Sequence, residues 1–305
     1  MTSRAATLVL AGRGKTGQRV AARLAALDVP VRVGSRTGTP PFAWQDVATW
    51  RPALEGVDAV YAAYFPDAAS TAAEFAIESF GALAVESGVK RLVFLSRRGD
   101  QRAERCEAIV RSFGLDWTVL RSSWLAQNFS EGFLLKPLLR GDVALPVGGV
   151  REPFVDADDV ADVATAALTD AGHARRVYEL TGQRLWTFRE AIEEIARQTR
   201  RRIRYREVSL EAFAATLASM WPSPAAGPIT ALLGETFDGR NAAVAAGVIR
   251  ALGRPPRDFK TYVRETAATG VWNAARASAD RTRLARTRSE DRPLVPWHAR
   301  PAERQ

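Results

Sequence analysis

The 305-residue chain has one cysteine, Cys106, and two histidines, His173 and His298. A single thiol forbids an intramolecular disulfide and gives no reason to expect an oxidising compartment. The histidines stand apart and there is no second cysteine, so the ligand spacing of a zinc site is missing as well. Long apolar runs are lacking. The opening run, TLVLAG, is six residues, too short for a signal-peptide core and far too short for a bilayer span. A soluble, cytoplasmic protein without a metal is therefore expected. No G-x-S-x-G elbow occurs, which removes the usual serine-hydrolase arrangement. Lys15 and Thr16 imitate the end of a Walker loop, but its first glycine would fall on Val9, so a P-loop is rejected.

Acids are in deficit, with 34 Asp and Glu against 43 Lys and Arg, a net charge of +9. Residues 273–305 hold eight arginines and four acids, so +4 of the excess belongs to that segment alone. Its mixture of Arg, Ser, Pro and Ala has no sustained apolar period, which predicts a solvated, disordered tail. Nothing elsewhere reads as a recognition helix or zinc module, so the basicity is not taken as a nucleic-acid signal.

What the chain does have is a glycine turn in an informative context. TLVLAG is a run of strand formers ending at a glycine. Beyond Gly17, Val20, Leu24 and Leu27 recur at helical spacing, and PVRVGSR restores strand alternation. Gly12, Gly14 and Gly17 fit G-x-G-x-x-G between these elements. The first glycine permits the turn, the second admits a pyrophosphate, and the third lets helix pack on strand. Phosphates would rest on the amides and positive dipole end of the helix N-terminus. Arg13, Lys15 and Thr16 complete the turn. At the end of the second strand, where NAD-binding chains place Asp or Glu, this sequence has Ser35 and Arg36, and no acid before Asp46. A guanidinium suits a 2′-phosphate, so the cofactor expected is NADP(H).

Strand candidates VDAVYAAYF, VKRLVFLSRRG and LDWTVLRSSW follow, separated by helical stretches with glycine stops. FVDADDVADVATAALTD reads as a helix whose acids form its cap and first turn, RVYELTG as another strand, and TFREAIEEIARQTR and LEAFAATLASMW as amphipathic helices. WPSPAAGP reads as a loop that could cap a pocket. The alternation predicts an α/β, Rossmann-like, doubly wound parallel sheet with a smaller, mostly helical C-terminal part. The boundaries expected are 1–140 for the nucleotide domain, 141–272 for a substrate-binding part with elements returning to the sheet, and 273–305 for the tail.

From about residue 6 to residue 272 the chain resembles the NmrA-like atypical short-chain dehydrogenases. The opening turn, GVKRLVFLS, GLDWTVLRSSWLAQNFSE and PFVDADDVADVA carry the resemblance, in order. The segment ALGRPPRDFKTYVRETAATGVW is similar to the branch holding the ergot-alkaloid enzymes agroclavine dehydrogenase and festuclavine synthase, with bacterial relatives. The resemblance implies that Tyr64, Phe65, Ser96 and Arg97 line the nicotinamide side, and that Trp124, Asn128 and Phe129 lie near the substrate. It also exposes a departure. Aligning the helix from Glu107 to Leu115 with the family puts Gly99 and Ala103 where typical members carry the Tyr and Lys that exchange a proton.

Reducing a ketone creates an alkoxide that needs a proton donor or oxyanion stabiliser. Reducing an iminium removes an existing charge, and a quinone methide or extended enone lies between. The reaction expected is hydride delivery from NADPH to a small planar conjugated acceptor of iminium, quinone or enone type in secondary metabolism, achieved mainly by positioning. Trp124, Phe129, Phe133, Phe154 and Trp221 are candidate walls for an aromatic or conjugated substrate. Two other readings remain: an NADP-binding redox sensor acting through a protein partner, and a cyclase or isomerase on the same scaffold. Neither nucleic acid nor membrane is an expected partner, and a homodimer is the assembly considered.

Overall fold

A computed structural model describes residues 5–65, 67–70, 72–220 and 226–273. In chain order it opens with β1 (Ala6–Leu10), α1 (Gly17–Ala26), β2 (Val31–Gly34), α2 (Trp50–Leu54) and β3 (Val57–Ala63). There follow α3 (Ala73–Glu86), β4 (Arg91–Arg97), α4 (Gln101–Ser112) and β5 (Asp116–Ser122). The chain then makes α5 (Asn128–Glu131), α6 (Leu135–Arg140), β6 (Asp142–Leu145), β7 (Arg151–Glu152), α7 (Ala157–Thr169) and β8 (Arg176–Leu180). Last come β9 (Trp186–Thr187), α8 (Phe188–Thr199), β10 (Arg204–Glu207), α9 (Leu210–Met220), α10 (Ala226–Thr236), α11 (Gly247–Leu252) and α12 (Phe259–Ala268).

The expected α/β architecture is present. Six strands form one sheet in the order β2-β1-β3-β4-β5-β8, and every pairing in it is parallel. Central strands read as near-continuous apolar runs because helices cover both faces. On one face Leu8, Leu10, Val60, Leu92 and Phe94 pack beneath α2, α3 and α4. On the other, Val9, Tyr61, Val93 and Leu120 meet α1, α7 and α11. The strand order reverses between β1 and β3, so the crevice of the doubly wound sheet opens at their carboxyl ends.

The cap expected for α7 is formed, and α8 carries one as well. Asp156 precedes α7 and its carboxylate accepts from the Asp158 N–H at 2.8 Å. Thr187 and Glu190 make a reciprocal capping box at the start of α8. A second core of Phe129, Phe154, Phe188, Phe259 and Trp272 sits among α5, α6, α8 and α12. Two small sheets, β6 with β10 and β7 with β9, brace this part and had no counterpart in the sequence pattern. The helix α10 starts at Ala226, inside the stretch expected to be a Pro-rich loop; the rest of that stretch, Trp221 to Ala225, lies outside the described residues. So does the Arg-rich segment from residue 274. Among the described residues no helix is long and apolar enough to cross a membrane.

Candidate active site

The glycine turn lies at the carboxyl end of β1, beside the crevice. Ala11 takes a positive φ of 51° to leave the strand. A Cβ on Gly12 would lie 2.6 Å from Val33 Cγ1, and one on Gly17 would lie 2.3 Å from the Ala11 carbonyl oxygen. Close packing of α1 on β1 and β2 therefore demands both glycines. Gly14 is exposed and donates its N–H to the Ala11 carbonyl at 2.7 Å. Helix α1 starts without a side-chain cap at Thr16 and without an acid in its first turn. Its N-terminal amides are thus unclaimed by side chains, and with the turn's Arg13 they suit a pyrophosphate.

The end of β2 supplies a second polar group. Arg36 is exposed, and Ser35 is half-buried with its Oγ shielded and without a partner. A shallow recess of about 370 Å³ lies between Arg13, Ser35, Gly38 and Thr39. Arg13 and Arg32 line this recess with the orphaned Ser35 hydroxyl, a set that fits the 2′-phosphate of an adenosine ribose, whereas Arg36, expected there, is not part of the lining. The residues present therefore accommodate NADP(H) at both its pyrophosphate and its extra phosphate.

A cavity of about 700 Å³ opens where β3, β4 and β5 end. It brings together most of the residues expected at the nicotinamide and substrate. Lys15, Tyr64, Phe65, Ser96, Arg97, Trp124 and Asn128 all line it. Lys15 links it to the glycine turn; burial pushes its ammonium pKa down, with Glu131 opposing and Arg19 adding to the fall. Ser96 is buried and donates its hydroxyl to Glu107 Oε1 at 2.7 Å. Glu107 is fully buried and also takes Arg121 Nη2 at 2.7 Å and Arg111 Nη2 at 2.8 Å. Ser96 is thus held in a structural network and has its proton committed. Burial raises the Tyr64 phenol, making it a weaker acid than a free tyrosine. Arg97 stands 3.7 Å from the Asp67 carboxylate.

Gly99 has a φ of +72°, and a Cβ there would meet Asn241 Oδ1 at 2.2 Å, so a larger residue would be strained and would have to displace that amide. Ala103 is fully buried on α4. Neither position offers a proton to the cavity.

The aromatic wall differs in part from expectation. Trp124 faces the cavity and meets Phe133 and Phe237 edge-on at 6.2 and 5.2 Å. Its indole Nε1 is buried without a partner among the described residues. Phe129, by contrast, is fully buried, packed on Phe154 at 5.3 Å and Phe259 at 5.7 Å, and is absent from the lining. Phe154 lies in the same core. The reason is helical geometry: adjacent residues project about 100° apart, so α5 sends Asn128 to the cavity and Phe129 behind it. Trp221 lies outside the described residues.

Several lining residues were not foreseen, Glu152 among them. Glu152, at the end of β7, is 1% exposed and its Oε1 has no hydrogen-bond partner among the described residues. Burial pushes its carboxyl up to about 7, against the pull of Arg98 and Arg97. A lone acid in VREPF carries no local signal; only the tertiary packing isolates it.

A family model described as NAD(P)H-binding matches residues 42–171. The chain is 31% identical over 283 residues to the (4-alkanoyl-5-oxo-2,5-dihydrofuran-3-yl)methyl phosphate reductase of Streptomyces griseus, covering 85% of this chain and 97% of that protein. It is 28% identical over 276 residues to festuclavine synthase I of Penicillium roqueforti, covering 84% and 96%. The crystal structure of Citrobacter triphenylmethane reductase complexed with NADP(H) superposes with a TM-score of 0.68 at 18% identity, covering 86% of this chain and 99% of that one.

Proposed function

The chain belongs to the NmrA-like atypical short-chain dehydrogenases, a family of NAD(P)H-dependent oxidoreductases, and from that premise we propose that it uses NADPH to reduce a small, planar, conjugated acceptor of secondary metabolism. The observation that carries this reading is the 700 Å³ cavity, walled by Trp124, Phe65, Phe133 and Phe237, which meets the glycine turn at Lys15. Bound NADPH supplies a hydride. The chain's own part is to hold a flat acceptor against the aromatic wall, exclude water and fix the approach distance, a contribution that positioning alone can make large. The relatives support the acceptor class. One is named for a 5-oxo-2,5-dihydrofuran, an unsaturated lactone, and another for festuclavine, an ergot alkaloid. Gly99 and Ala103 stand where a Tyr/Lys pair would be needed for simple ketones, which favours acceptors whose conjugation spreads the developing charge.

Anaerobic NADPH consumption by the full chain, followed at its absorbance maximum against iminium, quinone and enone acceptors, tests the reading. Turnover with at least one conjugated acceptor and none with simple ketones is the expected result. Tight NADPH binding with no oxidation by any acceptor would replace it with the sensor reading, and acceptor conversion without NADPH loss with the isomerase reading.

A further inference from the structure

We propose that Glu152 is the proton donor of this site, and that its acceptors are neutral conjugated carbonyls, enones or quinones, rather than iminium ions. The inference rests on the reductase reading and adds to it the acid that the Gly99 and Ala103 positions lack.

Two buried polar atoms lead to it. Glu152 Oε1 and Trp124 Nε1 belong to residues lining one cavity, and neither has a partner among the described residues. Buried polar groups in folded proteins are almost always hydrogen-bonded, so each such exception requires a reason. The charged groups facing Glu152 do not supply one. Arg98, on from β4, gives its Nε to Glu179 at 3.2 Å and its Nη1 to the carbonyls of Asn241 at 3.0 Å and Ala243 at 2.7 Å. Arg97, the last residue of that strand, stands against Asp67. Asp238, beyond α10, opposes ionisation of Glu152 by its own negative charge. A buried carboxylate without a bonded partner is costly, whereas the neutral acid is less so. The group therefore holds its proton near neutral pH, with a pKa close to that pH, as general-acid work requires.

Both residues line the cavity that would hold the acceptor's carbonyl oxygen. That atom offers two lone pairs and gains negative charge as the conjugated system is reduced. The carboxylic acid can donate to it, and the indole N–H on the same wall is a second donor. The acceptor gains a C–H bond at the conjugated carbon from the nicotinamide hydride, and the displaced π electrons reach the carbonyl oxygen. The Glu152 O–H bond breaks, its proton goes to that oxygen, and the resulting carboxylate recovers a proton from water. An iminium has no such oxygen and needs no acid.

Glu152→Gln keeps the shape of the side chain and removes the acid. With NADPH and the full chain, kcat toward a butenolide and a 1,4-quinone is expected to fall about 10²- to 10⁴-fold, the usual range for a general acid. NADPH affinity is expected to stay within about twofold, and the loss with a dihydroisoquinolinium salt is expected to be at least about tenfold smaller than with the enone. Wild-type kcat with the enone is expected to decline as pH rises through about 7. Independently of turnover, the wild-type infrared spectrum is expected to contain a protonated-carboxyl stretch near pH 5.5 that fades by about pH 8.5 and is missing from the variant. Unimpaired enone reduction by the variant, equal losses with all three acceptors, a flat wild-type pH profile or absence of that band would each overturn the assignment. Because the pH profile and the band are read on the wild type, poor folding of the variant leaves the test intact. A wild type that oxidises NADPH with no acceptor removes the reductase reading and the donor role together; an active wild type beside an equally active variant removes the donor role alone.

Discussion

At the scale of single residues, the end of β2 is where the proposed preference for NADPH can be tested. Arg36 is exposed, and Ser35 holds an unpartnered hydroxyl next to it. Replacing Arg36 by Glu sets a carboxylate against the 2′-phosphate in place of a guanidinium. A charge-assisted bond of roughly 1.5–3 kcal/mol is lost, so NADPH affinity should drop by about ten- to a hundredfold, with NADH affinity little changed. Fluorescence titration with both nucleotides measures this, and equal NADPH affinity in the two proteins would remove Arg36 from the site. Gly17→Ala acts by shape alone. Its Cβ would sit 2.3 Å from the Ala11 carbonyl oxygen, so the turn must move and nucleotide binding should be lost before the fold is. The glycine turn and its packing were legible in the sequence because the motif is local: strand, turn and helix are contiguous. Glu152 was not, because its isolation is created by β7 and β9 and the distant Arg97 and Arg98. Phe129 was misplaced for the opposite reason, since the W…NF segment marks the right helix but not which of its faces meets the cavity.

At the scale of elements, the acids of α7 tie the two halves of the chain together. Asp158 takes Arg23 Nη2 at 2.7 Å and Arg19 Nε at 3.2 Å, fastening α7 to α1. Asp159, fully buried, takes Arg254 Nη1 at 2.7 Å, Arg257 Nη1 at 2.6 Å and the Arg257 backbone N–H at 2.6 Å. Both arginines come from GRPPRD, part of the segment that carried the narrower resemblance. Pinned to α7 in this way, GRPPRD leads the chain into α12, which accounts for its arginines structurally. Asp159→Ala would leave two guanidiniums facing a vacated site. Breaking a buried pair costs about 3–5 kcal/mol, and since both arginines are about one-third exposed, a loss of about 2–4 kcal/mol is the expected outcome. Urea denaturation measures it, and an unchanged midpoint would mean that the clamp contributes nothing. The long elements were readable because their apolar periods extend over many residues. The four strands of the small sheets were not, being two or four residues long and defined by their partners rather than by their own pattern.

At the scale of the whole molecule, the cavity's chemistry should be visible in global stability. Glu152 has a folded pKa of about 7 against an ordinary 4.5. Between those values the folded protein keeps a proton that the unfolded chain has released. Folding is then penalised progressively as pH rises from about 4.5 to about 7, and the penalty levels off above that. A shift of about two and a half units corresponds to roughly 3 kcal/mol as an upper bound. Asp158 and Asp162 work the other way. Burial opposes their ionisation, but Arg23, with Arg19 and Arg257, more than offsets it, so their folded pKa values are lowered and their contribution is lost as pH falls. A wild-type stability curve mixes these trends. Comparison with Glu152→Gln separates them, because the aspartates are common to both proteins and cancel in the difference. The variant should match the wild type near pH 4.5 and exceed it by about 2–3 kcal/mol at pH 8, by chemical denaturation at each pH. A stabilising substitution at a cavity-lining acid that slows enone reduction is the pattern of a group retained for chemistry against the interest of the fold. Parallel stability curves for the two proteins would mean that the Glu152 carboxylate finds solvation or a partner at neutral pH, and its role as an acid would have no physical basis.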